Sequence, residues 1–144
     1  MKRLGLFTAI ALIFTSLFFT GCSGEVQDFE SDKITNVAMT TNINKLRKPT
    51  KITYTFNYDT PRIYCTFQVI DAPIGTSVTA EWVYVKGASN VENYLIDSWT
   101  EFTEGNKNIA MFINRLPNGW PSGDYEVVLY INGEPQGSIP FKVK

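Results

Sequence analysis

The sequence predicts an all-β fold, an antiparallel β-sandwich of seven or eight short strands preceded by an N-terminal signal peptide. Apolar residues recur with a period of two along the chain, as in strands that have one buried face. Turn-forming residues separate these stretches at the spacing typical of sandwiches. No stretch after the N-terminal apolar run has the periodicity of an amphipathic helix.

Eight stretches are predicted as strands, most of them from this alternation, whereas 108–114 is apolar on both faces as in a strand covered on both sides. Residues 62–70 form the clearest strand, because the odd-numbered positions are apolar or cysteine. Residues 77–85 come after a turn predicted at 71–75 and place Trp82 on the buried face. The first strand is predicted at a sheet edge, and so is the last, because Pro140 has no N–H for an interior ladder. The predicted strands are residues 34–43, 52–56, 62–70, 77–85, 94–99, 108–114, 125–131 and 138–143.

The first 21 residues have the layout of a secretory signal peptide. Lys2 and Arg3 precede an apolar run, and two small residues follow it. A retained transmembrane helix is the alternative, but spanning a bilayer takes about 20 apolar residues, which is longer than this run. We therefore predict a signal peptide at 1–21, a flexible acidic spacer at 22–33 and the β-sandwich at 34–144.

The stretch Phe19-Thr20-Gly21-Cys22 resembles the lipobox of bacterial lipoproteins. The resemblance implies that the Cys22 sulfur receives a diacylglyceryl group and that cleavage before Cys22 frees an amine for acylation, for example with palmitate. More than one acyl chain gives a stable membrane anchor. Ser23 is not the aspartate that retains such proteins in an inner membrane, so an outer membrane is favoured if the source has one. An ordinary secretory signal with an incidental cysteine is the alternative.

Composition argues against several classes of function. The chain has no histidine, which removes the commonest general base and zinc ligand, and with them Ser-His-Asp and Cys-His catalysis. It has 13 basic residues, two of them before residue 22, and 14 acidic residues, so it lacks the basic surface that nucleic-acid binding needs. Asp97, Glu101 and Glu104 could bind calcium weakly, but a solvated acidic loop is the favoured interpretation. We predict no cofactor, no metal and no catalytic site.

The chain has two cysteines, and lipidation of Cys22 would leave Cys65 without an intramolecular partner. We predict that Cys65 is buried and inert, because its neighbours alternate as in a core strand. A reactive thiol or a bond to another chain is the alternative.

Three features resemble an immunoglobulin domain. Trp82 faces inward on the strand predicted to follow the one with Cys65. Gly123-Asp124-Tyr125 resembles a tyrosine corner, in which the hydroxyl binds backbone across a loop. Val127 stands where antibody domains have their second cysteine. The chain from 56 to 143 also resembles immunoglobulin-like domains of bacterial surface and envelope proteins, and the matching stretches are 75–82, 119–125, 132–133 and 141–143. The resemblance implies an immunoglobulin-like sandwich outside the cytoplasm and no particular reaction.

These observations favour a non-enzymatic binding or structural domain, lipid-anchored in the bacterial envelope and facing away from the cytoplasm. Its partners would be the membrane, through Cys22, and an unknown envelope protein or glycan. The candidates for ligand contact are Tyr94, Trp99 and Trp120. A carbohydrate-binding module would need Trp99 and Trp120 exposed together as a platform; burial of Trp120 beside Tyr125 is the alternative. A protease inhibitor that inserts a loop, and an enzyme that uses carboxylates alone, are further hypotheses.

Overall fold

The computed structural model of the chain describes Phe29 and residues 31–144, which form an all-β domain without a helix. Six strands form one strongly curled sheet in the order β1–β3–β5–β6–β2, and β4 pairs with β3 outside that path. The strands are β1 (Ile34–Thr40), β2 (Thr55–Phe56), β3 (Arg62–Gly87), β4 (Tyr94–Asn114), β5 (Gly123–Ile131) and β6 (Glu134–Val143). The prediction of an all-β fold is confirmed, whereas the described residues hold six strands rather than seven or eight.

The count differs because two long strands replace four short ones. The predicted strands 62–70 and 77–85 are parts of β3, and 94–99 and 108–114 are parts of β4. Cys65 and Trp82, expected on successive strands, therefore lie on the same one. The buried apolar positions and Cys65 are odd-numbered before residue 70 of β3, whereas the buried positions after residue 77 are even-numbered, because register shifts between the two halves invert the alternation.

The turn predicted at 71–75 is a bend inside β3 rather than its end. Asp71 (φ 46°) and Gly75 (φ 81°) both adopt positive φ there, and Gly105 (φ 64°) does the same on the adjacent part of β4. The Asp71 N–H donates to the side-chain oxygen of Asn106 at 2.8 Å. The turn-forming residues bend the strand, but they do not end it because β4 bends with it and keeps the pairing.

The bent β3 has different neighbours along its length. Its first half pairs with β1, its second half pairs with β5, and β4 pairs antiparallel with both halves. β1 and β6 are not neighbours in the sheet, yet they contact each other, so the sheet curls back on itself. β1 lies at one end of the strand order, as predicted for an edge strand.

At the other end of the strand order, β2 and β6 both differ from the predictions. The strand predicted at 52–56 is reduced to the two residues of β2, which pair in parallel with Lys142 and Val143. The prediction of an entirely antiparallel sheet is therefore wrong at this pair. The last strand was predicted at a sheet edge, but β6 lies between β5 and β2 in the strand order. β2 does not reach Pro140, whose only partner in the ladders is Glu126 of β5, so the missing N–H is tolerated there.

The inner face of the curled sheet forms one hydrophobic core. Cys65 and Trp82 are buried in it, as predicted. Burial of a large apolar side chain contributes about 1.5–3 kcal/mol, so a core of this size stabilises the fold without a disulfide. The largest fully buried side chains are Trp82, Tyr125, Ile34, Met39, Ile63, Ile109, Met111, Leu129, Ile139, Val69, Val78 and Val127.

The described end of the predicted spacer contacts the domain. Phe29 packs against the core, and its ring lies so close to Gly137 that a Cβ there would sit 2.6 Å from a ring carbon. The Ser31 hydroxyl donates to the Gln136 side-chain oxygen at 2.9 Å, and the Lys33 carbonyl accepts from the N–H of Ile70. The chain thus enters the domain beside the β5–β6 turn, and ordered packing starts before residue 34. None of the described residues belongs to a helix that is long and apolar enough to cross a membrane.

Candidate functional site

A groove of about 470 Å³ opens at the end of the domain where β5 begins. Two loops border it, the β3–β4 loop at 88–93 and the β4–β5 loop at 115–122. Its volume is within the range of small-ligand pockets, about 300–1,000 Å³. Three tyrosines and a set of apolar residues form most of the surface, and no charged side chain takes part. The lining residues are Tyr84, Ser89, Val91, Tyr94, Ile96, Leu116, Pro117, Asn118, Gly119, Pro121 and Tyr125.

Two glycines bring the loops together. Gly87, the last residue of β3, pairs with Gly123, the first residue of β5. A Cβ on Gly123 would sit 2.3 Å from the carbonyl oxygen of Lys86, so no larger residue fits without a backbone shift. The Ala88 N–H donates to the Ser122 carbonyl at 2.9 Å just beyond this pair. The close approach fixes the distance between the two walls of the groove.

Tyr125 supports the floor of the groove. Its ring is buried, stacks on Phe141 with centroids 5.1 Å apart, and meets Tyr84 edge-on at 5.0 Å. Its hydroxyl donates to the Pro121 carbonyl at 2.5 Å, which confirms the predicted tyrosine corner. Burial raises the pKa of Tyr125, and the neighbouring Tyr84 raises it further, so the hydroxyl stays protonated as the bond to Pro121 requires.

Trp120 holds the 115–122 loop onto the domain. It is only 2% exposed. Its indole N–H donates to the Thr60 carbonyl at 2.8 Å, and its backbone N–H donates to the Tyr58 carbonyl at 2.9 Å. Its ring meets Tyr125 edge-on at 6.0 Å. Trp120 therefore fills the end of the domain, as the alternative interpretation expected, and it does not present its ring to a ligand.

The three candidate contact residues occupy three different environments. Tyr94 lines the groove and is 59% exposed. Trp99 is 38% exposed and its ring lies 5.0 Å from that of Phe112, outside the groove. Trp120 is buried. The structure thus does not bring Trp99 and Trp120 together as the exposed pair that the carbohydrate hypothesis required.

A second surface feature surrounds Trp99. Phe112 lies between Trp99 and Tyr64, with the centroids of Phe112 and Tyr64 5.6 Å apart. The Arg62 guanidinium lies 4.2 Å from the centroid of Phe112 and donates to the Asn114 side-chain oxygen at 2.9 Å. Among the described residues no carboxylate forms an ion pair with Arg62. We call Arg62, Tyr64, Trp99 and Phe112 the aromatic cluster.

The acidic residues considered for calcium are separated by their contacts. Glu101 forms ion pairs with Arg47 at 3.3 Å and with Lys107 at 4.0 Å. The Asp97 carboxylate accepts the N–H of Ser98 at 2.8 Å. Within the part of the chain that the structure describes, no three His, Cys, Asp or Glu side chains come close enough together to hold a metal ion.

The structure describes only one of the two cysteines. Cys22, the predicted lipidation residue, lies outside the described residues, as does the predicted signal peptide at 1–21. Cys65 is buried as a free thiol. Burial raises its pKa, so it remains a neutral thiol and a poor nucleophile, in agreement with the prediction of an inert core residue.

Sequence reasoning identified Tyr94 but not the groove around it. Val91 and Leu116 lie in loops without periodicity, and Tyr84 lies within the strand predicted at 77–85, where the alternation indicates burial and not a ligand contact. Gly87 was a usable signal, because it follows closely on the strand predicted at 77–85 and a close backbone approach is one reason for glycine there. Its partner Gly123 is distant in the sequence, and no local pattern relates the two residues.

Comparison with known proteins agrees with the fold. No protein-family model and no curated protein sequence matches the chain. Among solved structures it resembles an immunoglobulin-like protein from Pseudomonas aeruginosa, with 11% identity over 79% of this chain and 94% of that chain and a TM-score of 0.52. It also resembles the alkylpurine DNA glycosylase AlkC of Pseudomonas fluorescens, with 18% identity over 78% of this chain and a TM-score of 0.50.

These similarities define an immunoglobulin-like β domain. The chain spans only 30% of the length of the glycosylase, whose structure was determined with DNA containing an abasic site analog. At these identities the similarity extends to the fold alone, because one sandwich architecture serves many unrelated functions.

Proposed function

We propose that this chain is a lipid-anchored protein of the bacterial envelope, and that its immunoglobulin-like domain binds a partner in the groove without catalysis. The anchor rests on the resemblance of Phe19-Thr20-Gly21-Cys22 to a lipobox. An outer-membrane location, facing away from the cytoplasm, follows if the source has two membranes. The groove is suited to binding because it combines apolar walls with tyrosine rings, which offer a large contact area and a polar tip.

One observation is central to this proposal: the first described residues, Phe29 and Ser31, and the groove lie at opposite ends of β5. The groove adjoins Gly123, where β5 begins, whereas Phe29 and Ser31 pack beside the β5–β6 turn, past the point where β5 ends at Ile131. A strand of nine residues is about 30 Å long. A lipid on Cys22 would hold the β5–β6 turn towards the membrane, and the groove would open away from it.

The test is affinity capture with matched variants. The full chain is used to capture partners from the detergent-solubilised envelope of its source cells, alongside Tyr94→Ser and Ile74→Ser. Ile74 is 88% exposed and lies at the bend of β3, so its substitution is a control for loss of an exposed apolar side chain. We expect a partner retained by the wild type and by Ile74→Ser and lost from Tyr94→Ser. A partner retained equally by all three would refute the groove as the site.

The anchor has a separate test. Mass spectrometry of the exported protein should give an N-terminus at Cys22 with the mass of a diacylglyceryl group, with or without a further acyl chain. Replacement of Cys22 by Ser should release the protein from the membrane fraction. Exported protein in which an unmodified Cys22 is still joined to Gly21 would refute the lipid anchor and leave the groove hypothesis intact.

The aromatic cluster supports a second candidate function, binding of a glycan. A sugar ring can pack its apolar face on the partly exposed Trp99, and Arg62 has donors free for a sugar hydroxyl or carboxylate. Trp99→Ala should abolish binding to polysaccharide from the source envelope, whereas Phe102→Ala, which removes a more exposed ring from the same strand, should not. Equal glycan binding by both variants would contradict this candidate.

A further inference from the structure

β4 is an edge strand over its whole length. It pairs with β3 along 21 residues, and no other strand of the described chain pairs with it. Near Glu101 the chain around Arg47 covers it through an ion pair, and the Leu46 carbonyl accepts from the Asn108 side chain. The part between the groove and this contact, residues 94–100, has no such cover, and we call it the open edge.

Backbone groups of the open edge point away from β3. In an antiparallel pair with one neighbour, every second residue directs its N–H and C=O to the free side. The Ser98 N–H donates to the carboxylate of its own neighbour Asp97 at 2.8 Å rather than to a strand. With the period of two, Thr100 presents its N–H on the same side. The Asp97 carboxylate thus occupies the position that a carbonyl of a further strand would take.

The side chains of the open edge are unusual for an unprotected strand. Proteins commonly guard such edges with lysine, proline or short length. Here the strand is long, it contains neither residue before Lys107, and it exposes Tyr94, Leu95 and Trp99. Exposed apolar side chains beside unpaired backbone groups favour contact with an extended polypeptide, because only a strand satisfies both.

The edge has a uniform charge. Between Lys86 and Lys107 the chain contains four carboxylates and no basic residue. Only one of them, Glu101, forms an ion pair within the described part of the chain. A partner strand with lysine or arginine would complement this charge. The four carboxylates belong to Glu92, Asp97, Glu101 and Glu104.

The groove is continuous with the open edge. Tyr94 and Ile96 both lie on β4 and line the groove. A strand paired with β4 would pass the mouth of the groove as it reaches Tyr94. One of its side chains could then enter an apolar space of about 470 Å³, which is large enough for an aromatic ring.

We propose that the open edge binds an extended, basic and apolar segment of a partner protein as an added strand, with one large apolar side chain in the groove. The inference rests on the proposed binding function of the groove and names the class of its partner. Main-chain hydrogen bonds supply affinity in this mode, and the side-chain pocket supplies specificity. A second copy of this chain is a poorer partner, because antiparallel pairing of two open edges would set their carboxylates against each other.

The test begins with selection from a random dodecapeptide library displayed on phage, against the full chain purified in detergent. The enriched peptides should alternate apolar residues with lysine or arginine. On binding, the best peptide should slow amide hydrogen exchange at Ser98 and Thr100 at least tenfold. N-methylation of alternate residues on the pairing side of that peptide should weaken its affinity at least tenfold, because it removes the donors.

Variants of the chain separate the contributions. Asp97→Lys should lower the affinity for the peptide at least tenfold, because it reverses the charge at that position of the edge. Tyr94→Ser should lower it by a similar factor, because it removes a wall of the groove. Ile74→Ser should bind as the wild type. Ser98→Pro removes an N–H that β3 does not use and should also abolish binding; if that variant does not fold, the N-methylated peptide tests the same hydrogen bonds.

The other outcomes overturn the inference in different ways. A peptide that binds equally well after N-methylation uses the groove alone, so strand addition fails and the groove function stands. Failure to enrich any peptide refutes a peptide partner, while the capture experiment with Tyr94→Ser still decides the groove function. A concentration-dependent dimer that protects Ser98 and Thr100 without peptide replaces the partner protein by a second copy of the chain.

Discussion

The three tryptophans of the chain allow the contribution of one loop contact to be measured. Trp120 donates its indole N–H to the Thr60 carbonyl at 2.8 Å. Trp82 is equally buried, but its indole N–H has no partner among the described residues. Trp99 is partly exposed. Substitution of each by Phe therefore removes an indole N–H that is buried and paired in Trp120, buried and unpaired in Trp82, and on a partly exposed ring in Trp99.

The expected magnitudes follow from these environments. Replacement of a buried Trp by Phe leaves a cavity of a few tens of Å³, which costs about 1 kcal/mol at ~24 cal/mol per Å³. For Trp82→Phe this is an upper limit, because the substitution also removes a buried N–H that has no partner among the described residues. For Trp120→Phe the Thr60 carbonyl, on a buried residue, also loses its donor, which adds about 1–3 kcal/mol. We expect a destabilisation of about 2–4 kcal/mol for Trp120→Phe, at most about 1 kcal/mol for Trp82→Phe and less than about 1 kcal/mol for Trp99→Phe.

The assay is urea denaturation followed by far-ultraviolet circular dichroism, which does not depend on the number of indoles. At the midpoint of thermal unfolding, Trp120→Phe should lower Tm by roughly 10 °C in a domain of this size. Trp120→Phe should be the least stable of the three variants. If Trp120→Phe is no less stable than Trp82→Phe, the bond to Thr60 does not hold the loop and the reasoning is refuted.

Two further predictions concern Cys65 in the core and Gly123 beside the groove. Burial raises the pKa of Cys65 above its ordinary value of about 8.5, so the unfolded chain loses this proton first. Stability should be constant below about pH 8 and fall above about pH 9 by at most ~1.4 kcal/mol per pH unit from this group. Urea titrations at increasing pH should show that the free energy of unfolding of Cys65→Val starts to fall at a higher pH. An unchanged alkaline profile would contradict the raised pKa of Cys65 as the cause of the fall. Gly123→Ala should cost about 2–3 kcal/mol, because its Cβ would overlap the Lys86 carbonyl. Gly75→Ala, whose Cβ meets nothing within 4 Å, should cost only about 1 kcal/mol for its positive φ. Equal losses in the two glycine variants, measured by the same denaturation, would exclude a steric role for Gly123.

Local patterns in the sequence predicted what depends on neighbours in the chain. The alternation around Cys65 and Trp82 located both residues in the core, and the Gly-x-Tyr pattern located the tyrosine corner at Tyr125. These predictions succeeded because a strand with one buried face imposes its period of two on the sequence itself. The turn signals were also real, since Asp71 and Gly75 do adopt turn-like backbone angles.

The sequence did not reveal that those turn signals bend a strand rather than end it. The continuity of β3 depends on β4, which bends at Gly105 and supplies Asn106 to the Asp71 N–H. These residues are more than thirty positions away from Asp71. A local pattern gives the same signal for a bulge inside a long strand and for the end of a short one.

The candidate site was predicted least well for the same reason. Trp99 ends a predicted strand and Trp120 lies between predicted strands, but neither position shows whether the ring is buried, and only the tertiary structure separates the buried ring from the half-exposed one. The groove requires Gly87 and Gly123 to meet, and it joins loops from two different connections. Tyr94 could be singled out as an aromatic residue in an irregular stretch, but its groove and the open edge beside it are properties of the fold.

The most direct test of a binding site at the groove is site-specific photo-crosslinking in living source cells. A photoreactive phenylalanine analogue replaces Tyr94 in one strain and Ile74 in another, and the products are identified by mass spectrometry. If the groove is a binding site, we expect a crosslink to an envelope protein from position 94 and none from position 74. Crosslinks from position 74 alone, or the same products from both positions, would contradict it.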